Sequence, residues 1–395
     1  MLNPQTADDT IYLDHAATTP VDAEVLSVML PFFSEQYGNP SSIYRLGQDA
    51  RAALDRARGS IARVLGCQAD EILFTSGATE SNNLALVGML RPARAAAAAS
   101  HIVTTTIEHH AVLSAAEALE VEGVAVSYVR CDSEGLVSAA DVMAAVRPET
   151  RLISVMMANN EVGAIQPIAE IGAVAKARGI PFHTDAVQAA GTLPPRVDDL
   201  GVDLLSLSAH KFYGPKGVGV LYIRRKTPIA YQQHGGGQEG GRRGGTENVP
   251  LIVGMAAALE KADWLRDAYV TRCQGLRDRL WSRIQEAIPD ATLNGPRDPE
   301  RRLPNNLNIA IPGVQGETIL LGLDMEGVAA SAGSACTTGN SEPSHVLRAM
   351  GLSDEHCRAS LRFTVGRDNT VEQMDEAAEI LAETVSRVRS LAGVA

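Results

Sequence analysis

In the segment SLSAHKFYGPKGVG a lysine, Lys211, follows an apolar run and precedes a Gly/Pro turn. A lysine entering a polar crevice from a strand end loses its proton readily, because desolvation favours the neutral amine, and a neutral amine can form a Schiff base with an aldehyde cofactor. A plain surface lysine would carry the same local sequence. Asp185, in PFHTDAVQ, adds a second group. A carboxylate at the end of another core strand can keep the pyridinium nitrogen of pyridoxal 5′-phosphate (PLP) protonated, which makes that ring an electron sink for a carbanion at Cα. Taken alone, Asp185 would serve equally well as a helix cap or turn residue. Gln188, one turn further on, is placed to reach the phenolic oxygen of the same ring.

The turn SGATES offers a phosphate site. Backbone N–H groups of Ala78 and Thr79 at a helix start, helped by a side-chain hydroxyl, suit a dianion, although small polar residues also simply cap helices. Ser208 and His210, beside the lysine, are further phosphate or cofactor contacts. His109, in TIEHHAV, is placed to stack on a flat ring or to cap a helix, and His110 reads as the structural member of the pair. Arg362 interrupts the apolar strand SLRFTVG and calls for a carboxylate, either a substrate's or an internal one. Cys336 lies in SAGSACTTGNSEPS among residues too small to bury it, as a transferable thiol requires, although by itself it would be no more than an unusual loop cysteine. The Gly-rich run GGGQEGGRRGGTEN (residues 235–248) lacks the order GxxxxGK[ST], so nucleoside triphosphate binding is disfavoured.

These residues need a scaffold that gathers strand ends. Between about residues 70 and 225, β-rich runs (EILFTS, HIVTTT, VAVSYVR, RLISVMMAN, PFHTDAV, DLLSLSAH, GVGVLYIRR) alternate with helical ones. Runs such as LISVMM, apolar at consecutive positions, predict a mostly parallel sheet buried on both faces, with the ligand at the strands' carboxyl ends. The stretch 250–290 reads as long connecting helices. Beyond it NLNIAIP, ETILLGLDMEG, SHVLRAMG, SLRFTVG and a last helix from Val371 predict a smaller α+β domain, with the first dozen residues packing on it. The expected division is therefore a large domain over 15–260 and a small one over 1–14 and 261–395. RPARAAAAAS (residues 91–100) reads as a helix end or surface loop. A length of 395 residues with 45% hydrophobic composition accommodates both cores, and the net charge of −12 gives no footprint for nonspecific nucleic-acid binding. Neither a membrane span nor a signal peptide is visible, so the expected compartment is the cytoplasm. Five cysteines without CxxC spacing favour neither a disulfide framework nor a zinc site.

The segments YLDHAATTP, GNPSS, FTSGATESNN, EHHAVL, NNEVG, HTDAVQAAG, SAHKFYGPKGVG, GGGQE, GTENV, SAGSACTTGNSEPSHVLRAMG and LRFTVGR run in order from residue 12 to 367. Together they resemble the cysteine desulfurases of the class-V aminotransferase family. The resemblance implies an α/β, fold type I PLP transferase with a mostly parallel seven-stranded sheet sandwiched by helices. It implies Lys211 as Schiff-base lysine and acid/base, Asp185 on the ring nitrogen, Gln188 on O3′, and His109 stacked and taking part in catalysis. Ala78, Thr79, Ser208 and His210 would surround the phosphate, with Thr246 arriving from the other subunit of a homodimer. Asn160 and Arg362 would hold cofactor and substrate carboxylate, and Cys336 would carry the persulfide. The loop around Cys336 is similar to the longer version in the branch that feeds iron–sulfur assembly and tRNA thiolation. L-cysteine is then the substrate, and the partner a scaffold protein or thiolation enzyme. No resident metal is implied, a cluster meeting Cys336 only in passing. A selenocysteine lyase or aminotransferase of the same fold is the alternative. Gly240 stands where the family usually has Arg, Gly244 where it has Ser or Ala, Tyr44 near a frequent His, and Ala209 where Gly is common; weaker local anion contacts would follow from the first two.

Overall fold

The computed structural model of the protein describes residues 10–95 (92–95 by backbone alone), 99–332, 342–391 and 393. Cys336 and part of the Ala-rich stretch lie outside the described residues. The described residues begin with a short strand, β1 (Ile11–Tyr12), followed by helices that include α1 (Ala23–Met29) and α2 (Arg45–Leu65). It next builds a seven-stranded sheet from β2 (Ile72–Thr75), β3 (His101–Thr105), β4 (Ala125–Val129), β5 (Thr150–Ser154), β6 (Phe182–Asp185), β7 (Leu204–Ser208) and β8 (Gly219–Ile223), in spatial order β2-β8-β7-β6-β5-β3-β4. All neighbours are parallel except β8, which runs antiparallel to both β2 and β7. The carboxyl ends of the other six strands thus share one edge.

Consecutive apolar residues divide between two cores, as a sheet covered on both faces requires. Phe74, Val103, Ile153, Leu205 and Val220 pack with Leu54, Ile61 and Leu65 of α2 and with Ile252 and Met255 of a helix α5 (Val249–Trp264). Their neighbours Leu73, Ile102, Leu152, Leu204 and Leu221 turn the other way, toward Leu86 of α3 (Ala78–Ala95) and Val112 and Leu119 of α4 (His110–Val121).

After α5 the long helix α6 (Arg266–Ala287) leads to an antiparallel three-stranded sheet of β9 (Thr292–Asn294), β10 (Asn306–Ala310) and β12 (Ser360–Thr364), ordered β12-β10-β9. β11 (Val328–Ala329) pairs in parallel with β1, so Ile11 and Tyr12 lie beside the last third of the chain. Ile11 and Leu13 share a core with Leu280 and Ile284 of α6, Leu307, Phe363 and Leu381 of the final helix α7 (Val371–Leu391).

Candidate active site

Several of the side chains that face the cavity lie at, or just beyond, the carboxyl end of a strand of the seven-stranded sheet. β2 ends at Thr75, and after Ser76 and Gly77 the chain enters α3 at Ala78, whose first-turn N–H groups have no intrahelical acceptor. The turn rests directly on β8: a Cβ on Gly219 would come within 2.7 Å of Gly77 Cα. Glu80 holds the turn in shape, accepting from the Ser76 N–H and Oγ at 2.8 and 2.6 Å and from Arg243 Nε and Nη2 at 2.5 and 3.1 Å. Burial pushes the Glu80 carboxyl up, but these bonds outweigh it and leave the group below its usual range.

Asp185 closes β6 and is buried. Its Oδ2 accepts from Asn82 Nδ2 at 2.6 Å and its Oδ1 from the Val187 N–H at 3.0 Å. Lys211 lies just past β7, in a single 3₁₀ turn (Ala209–Lys211) rather than on the strand itself. The Nζ donates to the carbonyls of Ala16 and Ala17 at 2.5 and 2.8 Å, and Gln188 Nε2 donates to the same Ala16 carbonyl at 3.0 Å. His210 Nδ1 is 3.1 Å from Thr18 Oγ1; burial, with Lys211 adding, pulls this imidazole down to about 4.

His109 is the N-cap of α4, its Nδ1 accepting the Ala111 N–H at 3.1 Å, so the neutral ring carries its proton on Nε2. Burial lowers its pKa, Asp185 opposing and Lys211 adding to the effect. Capping and facing the cavity are therefore combined in one residue. His110, read from the sequence as structural, also lines the cavity, its ring 4.7 Å from that of His345.

Arg362 arrives from the other sheet. Its Nη2 donates to Asp14 Oδ1 at 2.7 Å and its Nη1 to the Asn160 carbonyl at 2.9 Å, so the internal carboxylate foreseen as an alternative is present and the guanidinium still borders the cavity. Ser331 exchanges both backbone hydrogen bonds with Arg362, at 2.6 and 3.1 Å. Beyond the undescribed stretch, Ser344 donates to the buried Glu161 carboxylate and His345 Nε2 donates to the Glu108 carbonyl at 3.0 Å. The described chain on either side of Cys336 therefore meets the lining of the cavity, Ser331 at Arg362 and His345 at His110.

The cavity encloses about 620 Å³ and brings together Ala78, Thr79, His109, Asn160, Asp185, Gln188, Ser208, His210, Lys211 and Arg362. That volume falls in the range of small-molecule sites. Thr246 is exposed and does not line it. Gly240 has φ of 67°, where a side chain would be strained, and a Cβ on Gly244 would meet Gly235 Cα at 2.7 Å, so both departures suit the local backbone. Asn82, Asp14, Glu161 and His345 were not foreseen as site residues. Among the described residues no cluster of His, Cys, Asp or Glu could hold a metal ion.

The donor set fits PLP: a buried carboxylate for a cationic ring nitrogen, an amine for the aldehyde, and helix N–H groups with Ser208 for a dianion. Residues 11–376 match the family model described as aminotransferase class-V. The chain is 48% identical to the cysteine desulfurase IscS of Dictyoglomus turgidum, over 96% of both chains.

The chain belongs to the class-V aminotransferases and, within them, to the PLP-dependent cysteine desulfurases.

Another member, the cysteine desulfurase IscS of Methanosarcina thermophila, is 47% identical over 98% of this chain and 95% of its own. Among solved structures, a NifS-like protein superposes with a TM-score of 0.89 at 38% identity, covering 96% of this chain and 100% of the other. A structure of SspA in complex with cysteine gives 0.78 at 36% identity, over 91% and 100%. Fold type I geometry in this desulfurase thus accounts for the meeting of Asp185 and Lys211 at one sheet edge.

Proposed function

We propose that this chain converts L-cysteine to L-alanine and takes the sulfur onto Cys336 as a persulfide, for delivery to iron–sulfur assembly or tRNA thiolation. The observation that carries the reading is the convergence of Lys211, Asp185 and Arg362, drawn from two sheets, on one cavity. Bound PLP supplies an electron sink for charge developing at Cα. Asp185, Lys211, Gln188, His109, Ser208, His210 and the first turn of α3 would hold it there, and Thr246, exposed on this chain, would complete the phosphate site of a second copy in a homodimer. Asn160 would touch cofactor and substrate. Arg362 would fix the substrate α-carboxylate by a two-pronged contact while Asp14 keeps the guanidinium oriented.

Lys211 Nζ would take the Cα proton and return one to the carbon chain. His109, uncharged with its proton on Nε2, would stack on the ring and take part in catalysis by donating an Nε2–H hydrogen bond to the substrate, which adds no charge beside the ring. The thiolate of Cys336 attacks the substrate sulfur: an S–S bond forms, the C–S bond breaks, its electrons and a proton pass to the former Cβ, and alanine leaves. No described helix is long and apolar enough to cross a membrane; we place the reaction in the cytoplasm. The two sheets with their helices would act as a large domain (15–260) and a small one (1–14 and 261–395).

The PLP-loaded protein, given L-cysteine, should yield equimolar alanine and persulfide on Cys336, while a Cys336→Ala variant should keep the cofactor absorbance and lose turnover. Alanine and sulfide released at the parent rate by that variant would instead make the chain a lyase of the same fold.

A further inference from the structure

Tyr213 follows the Lys211 turn with a backbone φ of 64°. A left-handed backbone is unfavourable for an L-residue because its Cβ crowds the following carbonyl oxygen. A bulky aromatic stays there only where its surroundings over-determine it. Here its N–H donates to Thr19 Oγ1 at 2.8 Å, and its carbonyl accepts from the Asp22 N–H at 3.0 Å. The Tyr213 hydroxyl accepts from the Arg367 N–H at 2.9 Å, and the Arg367 guanidinium lies 4.0 Å above the ring centroid. The residue is buried.

These tethers come from both parts of the site. Thr19 and Asp22 belong to the segment whose Ala16 and Ala17 carbonyls accept the Lys211 ammonium, and the Thr19 N–H also donates to the His210 carbonyl at 2.9 Å. Arg367 instead follows β12, the strand that carries Arg362. Gly366 between them permits the approach, since a Cβ there would meet Tyr213 Oη at 2.6 Å. The Tyr213 ring further walls a second cavity, only about 40 Å³, which Lys211 and Gln188 border as well.

We infer that Tyr213 is the positioning residue that sets Lys211 against Arg362. This rests on the roles proposed for those two side chains: a substrate held by its carboxylate at Arg362 must present Cα to Lys211, and the two groups stand on different sheets. Tyr213 joins them, its backbone fixed within the turn of Lys211 and its ring and hydroxyl fixed at the exit of β12. Misplacement by a fraction of an ångström between reacting groups is felt in the chemical step more than in binding.

Two substitutions separate ring from backbone. Tyr213→Asn removes the ring but keeps a residue that tolerates left-handed geometry, and Tyr213→Phe removes only the hydroxyl. On PLP-loaded protein, Tyr213→Asn should lower kcat for L-cysteine by about 10- to 100-fold, with KM and PLP affinity, measured by titrating the apoprotein, each within about threefold. Tyr213→Phe should cost about two- to threefold in kcat, the size of one modest hydrogen bond. A folded Tyr213→Asn protein with kcat within about twofold of the parent would overturn the inference. So would parallel losses of PLP affinity and thermal midpoint that account for the whole fall in activity. Should Tyr213→Asn not fold, Arg367→Lys, which keeps a cation for Asp22 but loses the flat stack, takes its place; unchanged kcat in both it and Tyr213→Phe overturns the inference equally. Activity surviving in Lys211→Ala would defeat the underlying role of the lysine, whatever the Tyr213 variants do.

Discussion

Asp185 and Lys211 issue from the ends of adjacent parallel strands of one sheet, whereas Arg362, facing the same cavity, comes from another sheet and is held by Asp14 and the Asn160 carbonyl. The first pair inherits its spacing from a hydrogen-bonded ladder that no local change relaxes easily. The arginine depends on contacts between layers: a bridge from Asp14 to Thr364, the paired backbone of Ser331, and side chains such as Tyr213. Cofactor geometry is thus a property of one sheet and substrate geometry a property of how two layers meet. Variants of the first kind should abolish chemistry, and those of the second should degrade binding, timing or stability by steps.

The sharpest break in that contrast is Lys211→Ala, which removes both the amine for the aldehyde and the proton carrier. Turnover of L-cysteine should fall by at least about 10³-fold, and the visible absorbance of PLP bound through a lysine should vanish while the fold, read by far-UV circular dichroism, persists. Arg362→Lys keeps a cation for Asp14 yet cannot present two parallel N–H groups, so KM for L-cysteine should rise about 10- to 100-fold with kcat less affected. A kcat loss as large as that of Lys211→Ala would erase the distinction between the two regions.

The asymmetry also governs what could be read from sequence. The strand-end groups were legible because apolar runs and the turns that follow them are local: β2 to β8 all fall on segments read as strands, although β5 ends at Ser154 where the run continued to Asn159, and Asp185, Ser208 and Lys211 terminate or follow theirs. Family resemblance supplied roles that no local pattern carries, such as those of Asn160 and Thr246. What escaped was long-range. Asp14 meeting Arg362, or Asn82 reaching Asp185, joins residues whose pairing leaves no trace in either neighbourhood, and the two-residue strands β1 and β11 are too short for any periodicity. The position of His110 is a further case, since only the arrival of His345 from a distant helix shows that both rings border the cavity. The left-handed backbone of Tyr213 is equally invisible in a sequence whose glycine comes one position later.

Asp22 tests the meeting of layers through stability rather than catalysis. It caps α1, accepting from the Glu24 and Val25 N–H groups at 2.8 and 3.3 Å, and it pairs with Lys261 of α5 at 3.0 Å and Arg367 beyond β12 at 2.5 Å. Burial opposes ionisation, but the Lys261 and Arg367 bonds prevail and draw its pKa from 3.8 down to about 2. A carboxyl depressed in the folded state contributes stability above its unfolded pKa and loses it as pH falls through the folded one. Asp22→Asn should therefore cost about 2 kcal/mol at neutral pH. The gap between parent and variant in urea midpoints should close between about pH 4 and pH 2. A gap that stays constant over that window would mean that the charge of Asp22 is not what joins the layers.

The smallest effect belongs to the loop that carries Thr246. Glu239, with φ of 49°, is buried against Arg58, whose guanidinium bonds its carboxylate at 3.0 and 2.5 Å and lies over the Phe74 ring, while the Phe74 N–H donates to Glu239 at 3.0 Å. The loop is thus tied to β2, an edge strand of the cofactor sheet, and Gly240 and Gly241 continue the left-handed run at φ of 67° and 80°. An arginine at 240 would meet nothing within 4 Å of its Cβ, so its cost is the backbone alone. Gly240→Arg should lower the thermal midpoint by only about 1–3 °C, with PLP affinity raised if the guanidinium adds an anion contact and unchanged if it points to solvent. A loss of PLP affinity would show instead that the loop had shifted off β2, which would place part of the phosphate geometry under the same between-layer control as Arg362.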